Sequence, residues 1–430
     1  MENYNAESLL EFLDNSPCNF WAVETIKKHL EANGFEELNP AQKWDIKKGG
    51  KYFVTKNDSA IFGIKVGKGT LSETGFRIIS AHSDSPCFRI KPNPEMLADG
   101  VLRINTEVYG GPILYTWFDR PLSIAGRVIL KNPENILKPI TRLIDFKRPV
   151  LIIPHLAIHF NRSVNDGNKL SKQKDMLPIA AIVTDKVEKN GFILKKVAEE
   201  LNVDASQILD FDLLLYNCQK AQKVGFNNEF ISSGRIDDLS MAHAAMCALI
   251  NGKDTTATQV MAIFDNEETG SGTKQGAASP VLTNILHRIA LATDVDQEGF
   301  YQALANSFMI SADNAHAAHP NYPEKYDLTN HPVMGGGPTI KINANCKYMT
   351  DANSSAVFVE LCKKAKSPYQ FFVNHSDNAG GSTLGNILTS QMDINGVDMG
   401  NPIWAMHSAV ETGSITDHQN AINVFTEFFN

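Results

Sequence analysis

The feature that most constrains this chain is a recurring pattern in which a short apolar run ends and a histidine or carboxylate stands at its end. It occurs in FRIISAHSDS at His82 and Asp84, GRIDD at Asp237, VMAIFDNEE at Glu267 and Glu268, FMISADNAH at Asp313 and PIWAMHSAVE at His407. Such runs read as buried strands delivering a polar residue, or as the entrance to a helix. In an open α/β sheet, ligands and chemistry gather at the carboxyl ends of the strands.

Composition narrows the classes. A chain of 430 residues exceeds the usual single-domain length, and 43% hydrophobic residues suffice for substantial cores. A formal charge of -8 argues against a nucleic-acid partner, which normally selects a basic stripe. The passage PVLIIPHLAIHF is interrupted at Pro154 and His155 and is shorter than the roughly 20 apolar residues that span a bilayer. The segment MENYNAESLLEFLDNS lacks the cationic start and apolar stretch of a secretory signal, so a cytoplasmic location is expected. Cys18, Cys87, Cys218, Cys247, Cys346 and Cys362 are scattered without a C-x-x-C pair, which predicts buried, reduced thiols and excludes a thiolate zinc knuckle.

Periodicity organises the chain. Leu9, Leu10, Phe12 and Leu13, then Trp21, Ala22, Ile26 and Leu30, predict two helices, the second stopped at Gly34. Residues 51–66 and 76–81 read as strands. The middle holds VLRINTEVYGG, ILYTWF, LSIAGRVIL and DLLLYN, strand-like pieces punctuated by Gly, Pro and Asn. An inserted strand-rich domain over residues 93–232 is therefore expected inside a discontinuous α/β domain made of 1–92 and 233–430. In the latter, LSMAHAAMCALI and PVLTNILHRIALA read as helices, and QVMAIFD and FMISAD as strands.

The polar stations make a ligand set when taken together. His82 and Asp84 are two apart, so on an extended segment they share a face and the carboxylate can fix the imidazole tautomer. Asp237 precedes the helical pattern Leu239, Ala242, Met246 and Leu249; it reads either as an N-cap or as a carboxylate bridging two cations. Glu267 and Glu268 repel each other directly after a buried run, and a dication relieves that repulsion; one can bind metal while its neighbour takes the proton from a metal-bound water. Asp313 is preferred as a ligand over His316 and His319, because Pro320 ends any helix that would align the two histidines. His407 is the remaining candidate, with an ordinary buried histidine as the alternative. Two dications would bring four positive charges against three from Asp237, Glu268 and Asp313, and a bridging hydroxide cancels the remainder.

Two glycine-rich stretches carry weaker signals. GSGTKQG at 270–276 has the glycine content of a phosphate loop but matches neither dinucleotide nor P-loop spacing. Gly335, Gly336 and Gly337 provide backbone freedom, either for close approach of a substrate or for an ordinary turn.

These motifs and their order resemble the M18 metalloaminopeptidases, the aspartyl aminopeptidase family. The resemblance rests on SPCNFWAV, AHSDSPCFRIKP, IPHLAIHF, SGRIDDL, DNEETGS, SADNAHAAHPNYPEKY, GPTIK, GGSTLG and AMHS, and it covers nearly the whole chain. It implies an α/β fold with a zinc-exopeptidase-like mixed sheet flanked by helices, and an inserted strand-rich domain that mediates dimerisation. It also implies a site of two Zn2+ in which Asp237 bridges, His82 and Asp313 hold one ion, and Glu268 and His407 hold the other. Glu267 would be the general base and Asp84 would orient His82. Dimers would assemble into a homo-oligomer, a dodecamer, acting on peptide substrates, with no nucleic-acid or membrane partner. A histidine of the insert would reach a neighbouring subunit's site to stabilise the oxyanion; His159 is the matching position and His155 the alternative.

Where aspartyl members carry a basic residue, this chain has Met334 before Gly335-Gly336-Gly337-Pro338, and it has Lys347-Tyr348 in place of an Arg-Tyr pair. The preference at the first substrate residue is thus acidic or neutral. The rival readings are a two-metal deacylase or carboxypeptidase acting on another amide, and a non-catalytic shell or cargo protein. Ligands without thiolate would also accept Mn2+ or Co2+.

Overall fold

The computed structural model describes residues 4–184 and 191–430. The chain divides into two compact units. One comprises residues up to Asp84 with Ala221–Met406 and Glu411–Asn430; the other comprises Ser85–Lys220 with His407–Val410.

The first unit is built on a nine-stranded mixed sheet. Its order is Glu36–Glu37, Lys51–Lys56, Ala60–Lys65, Thr258–Phe264, Phe76–His82, Phe308–Ala312, Asn395–Gly400, Thr339–Ile342 and Gln370–Val373. The four strands from Thr258–Phe264 to Asn395–Gly400 run parallel to one another, so their carboxyl ends share one edge. Register places His82 beside Phe264 and Ala312 beside Met399. Because these strands are covered on both faces, they read as continuous apolar runs rather than alternating ones.

The two faces separate by strand periodicity. Ile79, Ala81, Met261, Ile263, Ile310, Ala312, Val397 and Met399 pack into one core with residues of the helices Ser8–Asn15, Asn19–Ala32, Ile236–Asn251, Ala352–Lys364 and Ile415–Phe429. Ile78, Val260, Ala262, Phe264 and Met309 pack into a second core with the helices Val281–Ala292, Gln297–Ala305 and Leu384–Leu388. Full burial of such side chains stabilises by roughly 1.5–3 kcal/mol each. The helix Ile236–Asn251 ends where Lys65 Nζ donates to the carbonyl of Gly252 at 2.6 Å, a cation on a helix C-terminus.

The second unit holds a six-stranded antiparallel sheet in the order Ile140–Asp145, Leu122–Leu130, Ile208–Asn217, Cys87–Ala98, Val101–Tyr109 and Ile179–Ile182. Phe88, Ile90, Leu102, Trp117, Val128 and Leu213 fill its core. The ILYTWF segment is not a strand here: Leu114–Trp117 is a 3-10 helix, with Trp117 edge-on to Phe88. Its consecutive aromatic and β-branched residues have the composition of a strand, but burying Trp117 directs the local backbone.

Among the described residues no helix is long and apolar enough to cross a membrane. All six cysteines lie among the described residues, and none is in a disulfide. The expectation that all would be buried fails at exposed Cys346 and half-buried Cys218.

Candidate metal centre

The site forms at the carboxyl edge of the parallel strands. His82 is the last residue of its strand and is buried. Its Nδ1 lies 3.0 Å from the Asp84 carbonyl and 3.3 Å from Asp84 Oδ1, both acceptors, so Nδ1 carries the proton. In the neutral ring Nε2 would present its lone pair toward Asp237, whose Oδ1 is 3.8 Å away. Burial works against a charge on His82, but Asp238, Asp84 and Glu267 outweigh it and hold the imidazole well above its ordinary value.

Asp237 and Asp238 occupy the first turn of the Ile236–Asn251 helix with non-helical backbone angles. Asp237 is therefore no simple N-cap; its own N–H donates to Glu411 Oε2 at 3.1 Å. The two carboxylates differ in use. Asp238 Oδ2 accepts the backbone N–H of His82 at 3.1 Å, and its Oδ1 accepts Asn314 Nδ2 at 3.3 Å. Asn314 Nδ2 also donates to the carbonyl of Ile236 at 3.0 Å, so the residue after Asp313 braces the aspartate pair.

Asp313 follows the strand Phe308–Ala312, and its N–H donates to the carbonyl of Met399 at 2.9 Å. Its Oδ1 sits 3.3 Å from Lys341 Nζ. Burial opposes a charge on Lys341, yet Asp313 first, then Tyr348 and Asp398, hold it above the ordinary lysine value.

The Thr258–Phe264 strand leads through Asp265 and left-handed Asn266 into the 3-10 turn Glu267–Thr269. That turn hangs on Asp84, whose carboxylate accepts the N–H of Glu267 at 3.1 Å and of Glu268 at 3.2 Å. Burial pushes Glu267 up to about 8, with Asp313, Glu268 and Asp84 adding to the effect and His82 opposing it. Burial, with Asp84, raises buried Asp265 to about 7, and Asn19 Nδ2 supports it at 3.0 Å.

One donor atom from each of His82, Asp237, Asp238 and Asp313 lies within 4.8 Å of the others, all four buried, and Asp237 and Glu268 also approach to within that distance. The donor set fits a divalent cation. Three buried carboxylates converge there, and a cation that displaces the proton from His82 Nε2 gains the imidazole lone pair a metal requires. Asp238, committed at both oxygens, is better suited to bracing than to ligation.

His407 groups with the second unit, where its Nδ1 faces the Gly111 carbonyl at 3.1 Å and its own carbonyl accepts the N–H of Ile113 at 2.9 Å. His316 is exposed, with its ring 6.0 Å from Phe372. His319 packs against Tyr322 at 4.9 Å between centroids. His155 is held by Phe118, 4.5 Å away, and by its N–H to Asp119 Oδ1 at 2.9 Å, whereas His159 stands exposed in the 3-10 turn Ile158–Phe160.

Sequence reading missed Asp238, Asn314, Asp265, Asn19 and Glu411. The doublets Asp237-Asp238 and Asp313-Asn314 were visible signals. Glu411 and Asn19 gave none, because their roles depend on contacts more than 170 residues away in the chain.

A buried imidazole and carboxylate cluster at the carboxyl edge of a parallel sheet is the arrangement of a metal-dependent hydrolase. The family described as aminopeptidase I zinc metalloprotease (M18) matches residues 12–429. A "probable M18 family aminopeptidase 2" of Clostridium novyi is 53% identical over 99% of this chain and 98% of its own length. Among solved structures, the chain superposes on Ape4 from its complex with Nbr1 with a TM-score of 0.94 at 34% identity, covering 99% of this chain and 85% of that one. It also superposes on mApe1 of S. cerevisiae, solved as a dodecamer, with a TM-score of 0.86 at 28% identity, covering 99% and 96%. The chain belongs to the M18 family of zinc metalloaminopeptidases.

Proposed function

We propose that the protein removes the N-terminal residue of peptides, using two Zn2+ held by His82, Asp237, Glu268, Asp313 and His407, with Asp237 between them. The observation that carries the reading is the Asp84 carboxylate, which spans His82 Nδ1 and the N–H groups of both glutamates, so one side chain orients a ligand and the adjacent acidic pair. Bound cations would supply a deprotonated water and polarise the scissile carbonyl.

The chain's own residues carry the protons. Glu267, with a raised proton affinity, accepts a proton from the attacking water and returns it to the leaving amine. Glu268, fixed by the other Asp84 oxygen, is left for ligation. Lys341 offsets part of the charge on Asp313. Mn2+ or Co2+ would be accepted by the same oxygen and nitrogen donors.

The second unit acts in assembly under this proposal. It exposes Ile136 and Leu137 in one segment and Leu156, Ile158 and Phe160 in another, apolar side chains suited to subunit contact, and the dodecameric mApe1 supports a similar homo-oligomer here. His159, exposed among those residues, is the group proposed to reach a neighbouring site and bind the oxyanion. At the first substrate residue the preference is acidic or neutral, since Met334 stands where aspartyl members carry a base.

The test is Glu267→Gln in zinc-loaded protein. Turnover should fall about 100- to 10,000-fold with zinc content unchanged. Full activity would remove Glu267 from the mechanism.

A further inference from the structure

The loop GSGTKQG belongs to neither the metal cluster nor the substrate reading, yet it contributes to a cavity of about 510 Å³ on the first unit. Lys56, Lys274, His287 and Arg288 line this cavity, with Trp44 and Asn284 beside them, and none of its lining residues is an aspartate or glutamate.

Among the described residues no carboxylate pairs with Lys56, Lys274 or Arg288. Arg288 is fixed over the Trp44 ring at 3.7 Å and donates to the carbonyls of Pro40, at 2.8 Å, and Gln42, which orient the guanidinium without neutralising it. Among the described residues, neither half-buried Lys56 nor exposed Lys274 makes an ion pair. Val54 and Ile285 give the cavity apolar walls beside these charges.

The cavity is also connected to the catalytic turn. Lys274 lies between Thr273 and Gln275, whose side chains both donate to Asn266 Oδ1 at 2.8 Å, and the Asp265 N–H donates to the Gln275 carbonyl at 3.2 Å. Asn266 immediately precedes Glu267. Lys56 ends a strand that runs in the same direction as Thr258–Phe264 and lies two places away in the sheet, about 10 Å at ordinary strand spacing. The cavity therefore lies toward the sheet edge that carries the metal cluster.

We infer that this cavity is an oxyanion site, taking a phosphate or carboxylate group between Lys56, Lys274 and Arg288 and stiffening the loop that carries Glu267. The oxyanion has two available sources: free phosphate, or the C-terminal carboxylate of a short peptide, the latter resting on the aminopeptidase reading.

The experiment uses full-length, metal-loaded protein as wild type, the Lys56→Gln/Lys274→Gln double variant and the corresponding Lys→Arg double variant. Inorganic phosphate binding is followed by 31P line broadening, and KM is compared for one peptide with a free and an amidated C-terminus. Phosphate at the metals contributes equally to all three proteins, so the difference between them isolates the cavity. A loss of about tenfold or more in phosphate affinity with Gln, restored by Arg, supports the site with free phosphate as ligand. An unchanged phosphate affinity, with the preference for the free carboxylate lost only in the Gln variant, supports the peptide as source. Equal behaviour of all three proteins in both assays overturns the proposal, whether or not peptides are cleaved. If the double variant fails to fold, Lys274→Gln alone, at an exposed position, gives the same discrimination.

Discussion

Asp84 accepts the backbone N–H of Glu267 at 3.1 Å while the same oxygen lies 3.3 Å from His82 Nδ1. A strand-end histidine and the turn after another strand are thereby set by one carboxylate. In Asp84→Asn the amide NH2 faces either the imidazole and Glu267 N–H groups together or the Glu268 N–H, so at least one donor loses its acceptor. Activity should fall about 10- to 100-fold, as for other residues that orient metal ligands. Steady-state kinetics with metal analysis checks this; wild-type kinetics would mean that the turn holds itself.

Lys341 and Asp313 form a buried ion pair at 3.3 Å. Removing the cation leaves a buried carboxylate whose charge a bound metal would offset. Lys341→Met should destabilise metal-free protein by up to about 3–5 kcal/mol, and metal-loaded protein by clearly less. Calorimetry with and without chelator measures both, and equal losses would contradict the counter-charge role.

A proton chain away from the metal cluster predicts acid sensitivity. The Ser8 hydroxyl donates to the Asn5 carbonyl at 2.8 Å, so its oxygen accepts from His243 Nε2 at 2.9 Å. His243 Nδ1 is then the acceptor for His418 Nε2–H, also at 2.9 Å, and both rings are neutral. Burial pushes His418 down to about 3; burial, with His418 and His29, pushes His243 well below the imidazole range. The unfolded chain protonates both near pH 6.5. Their contribution is thus fully present above about pH 6.5 and is lost as pH falls below it, on the order of 1.4 kcal/mol per unit per histidine. Melting curves between pH 7.5 and 5 should show a shallower decline in His418→Leu than in wild type; parallel declines would assign the acid sensitivity elsewhere.

The glycine run is explained by backbone demands. Gly335 and Gly337 have positive φ angles of 82° and 90°, and their N–H groups donate to the two oxygens of Asp417 at 2.7 and 2.8 Å. A Cβ on Gly337 would meet the Pro368 carbonyl at 2.2 Å. Gly337→Ala should cost about 1–3 kcal/mol in denaturant melts. An unchanged midpoint would show that Pro368 yields without cost.

The fully buried strands of the first unit were legible because continuous apolar runs such as VMAIF have few alternatives, and the helices because Leu239, Ala242, Met246 and Leu249 keep a 3.6 period. His82 and Asp313 stand at the end of such runs and Asp237 at the entrance of a helix, and the structure brings their donor atoms together. Asp238, Lys341 and Glu411 were not singled out from residue pattern, since their functions are long-range hydrogen bonds and ion pairs whose partners lie on other elements. ILYTWF misled for the opposite reason: its composition suits a strand, but tertiary burial of Trp117 decides the backbone.

The most direct measurement is time-resolved mass spectrometry of a free heptapeptide incubated with zinc-loaded protein, beside the same peptide with an acetylated N-terminus. The expected result is stepwise loss of N-terminal residues from the free peptide, abolished by chelator, and no cleavage of the acetylated one. Shortening from the C-terminus, internal cleavage, or equal cleavage of the acetylated peptide would contradict it.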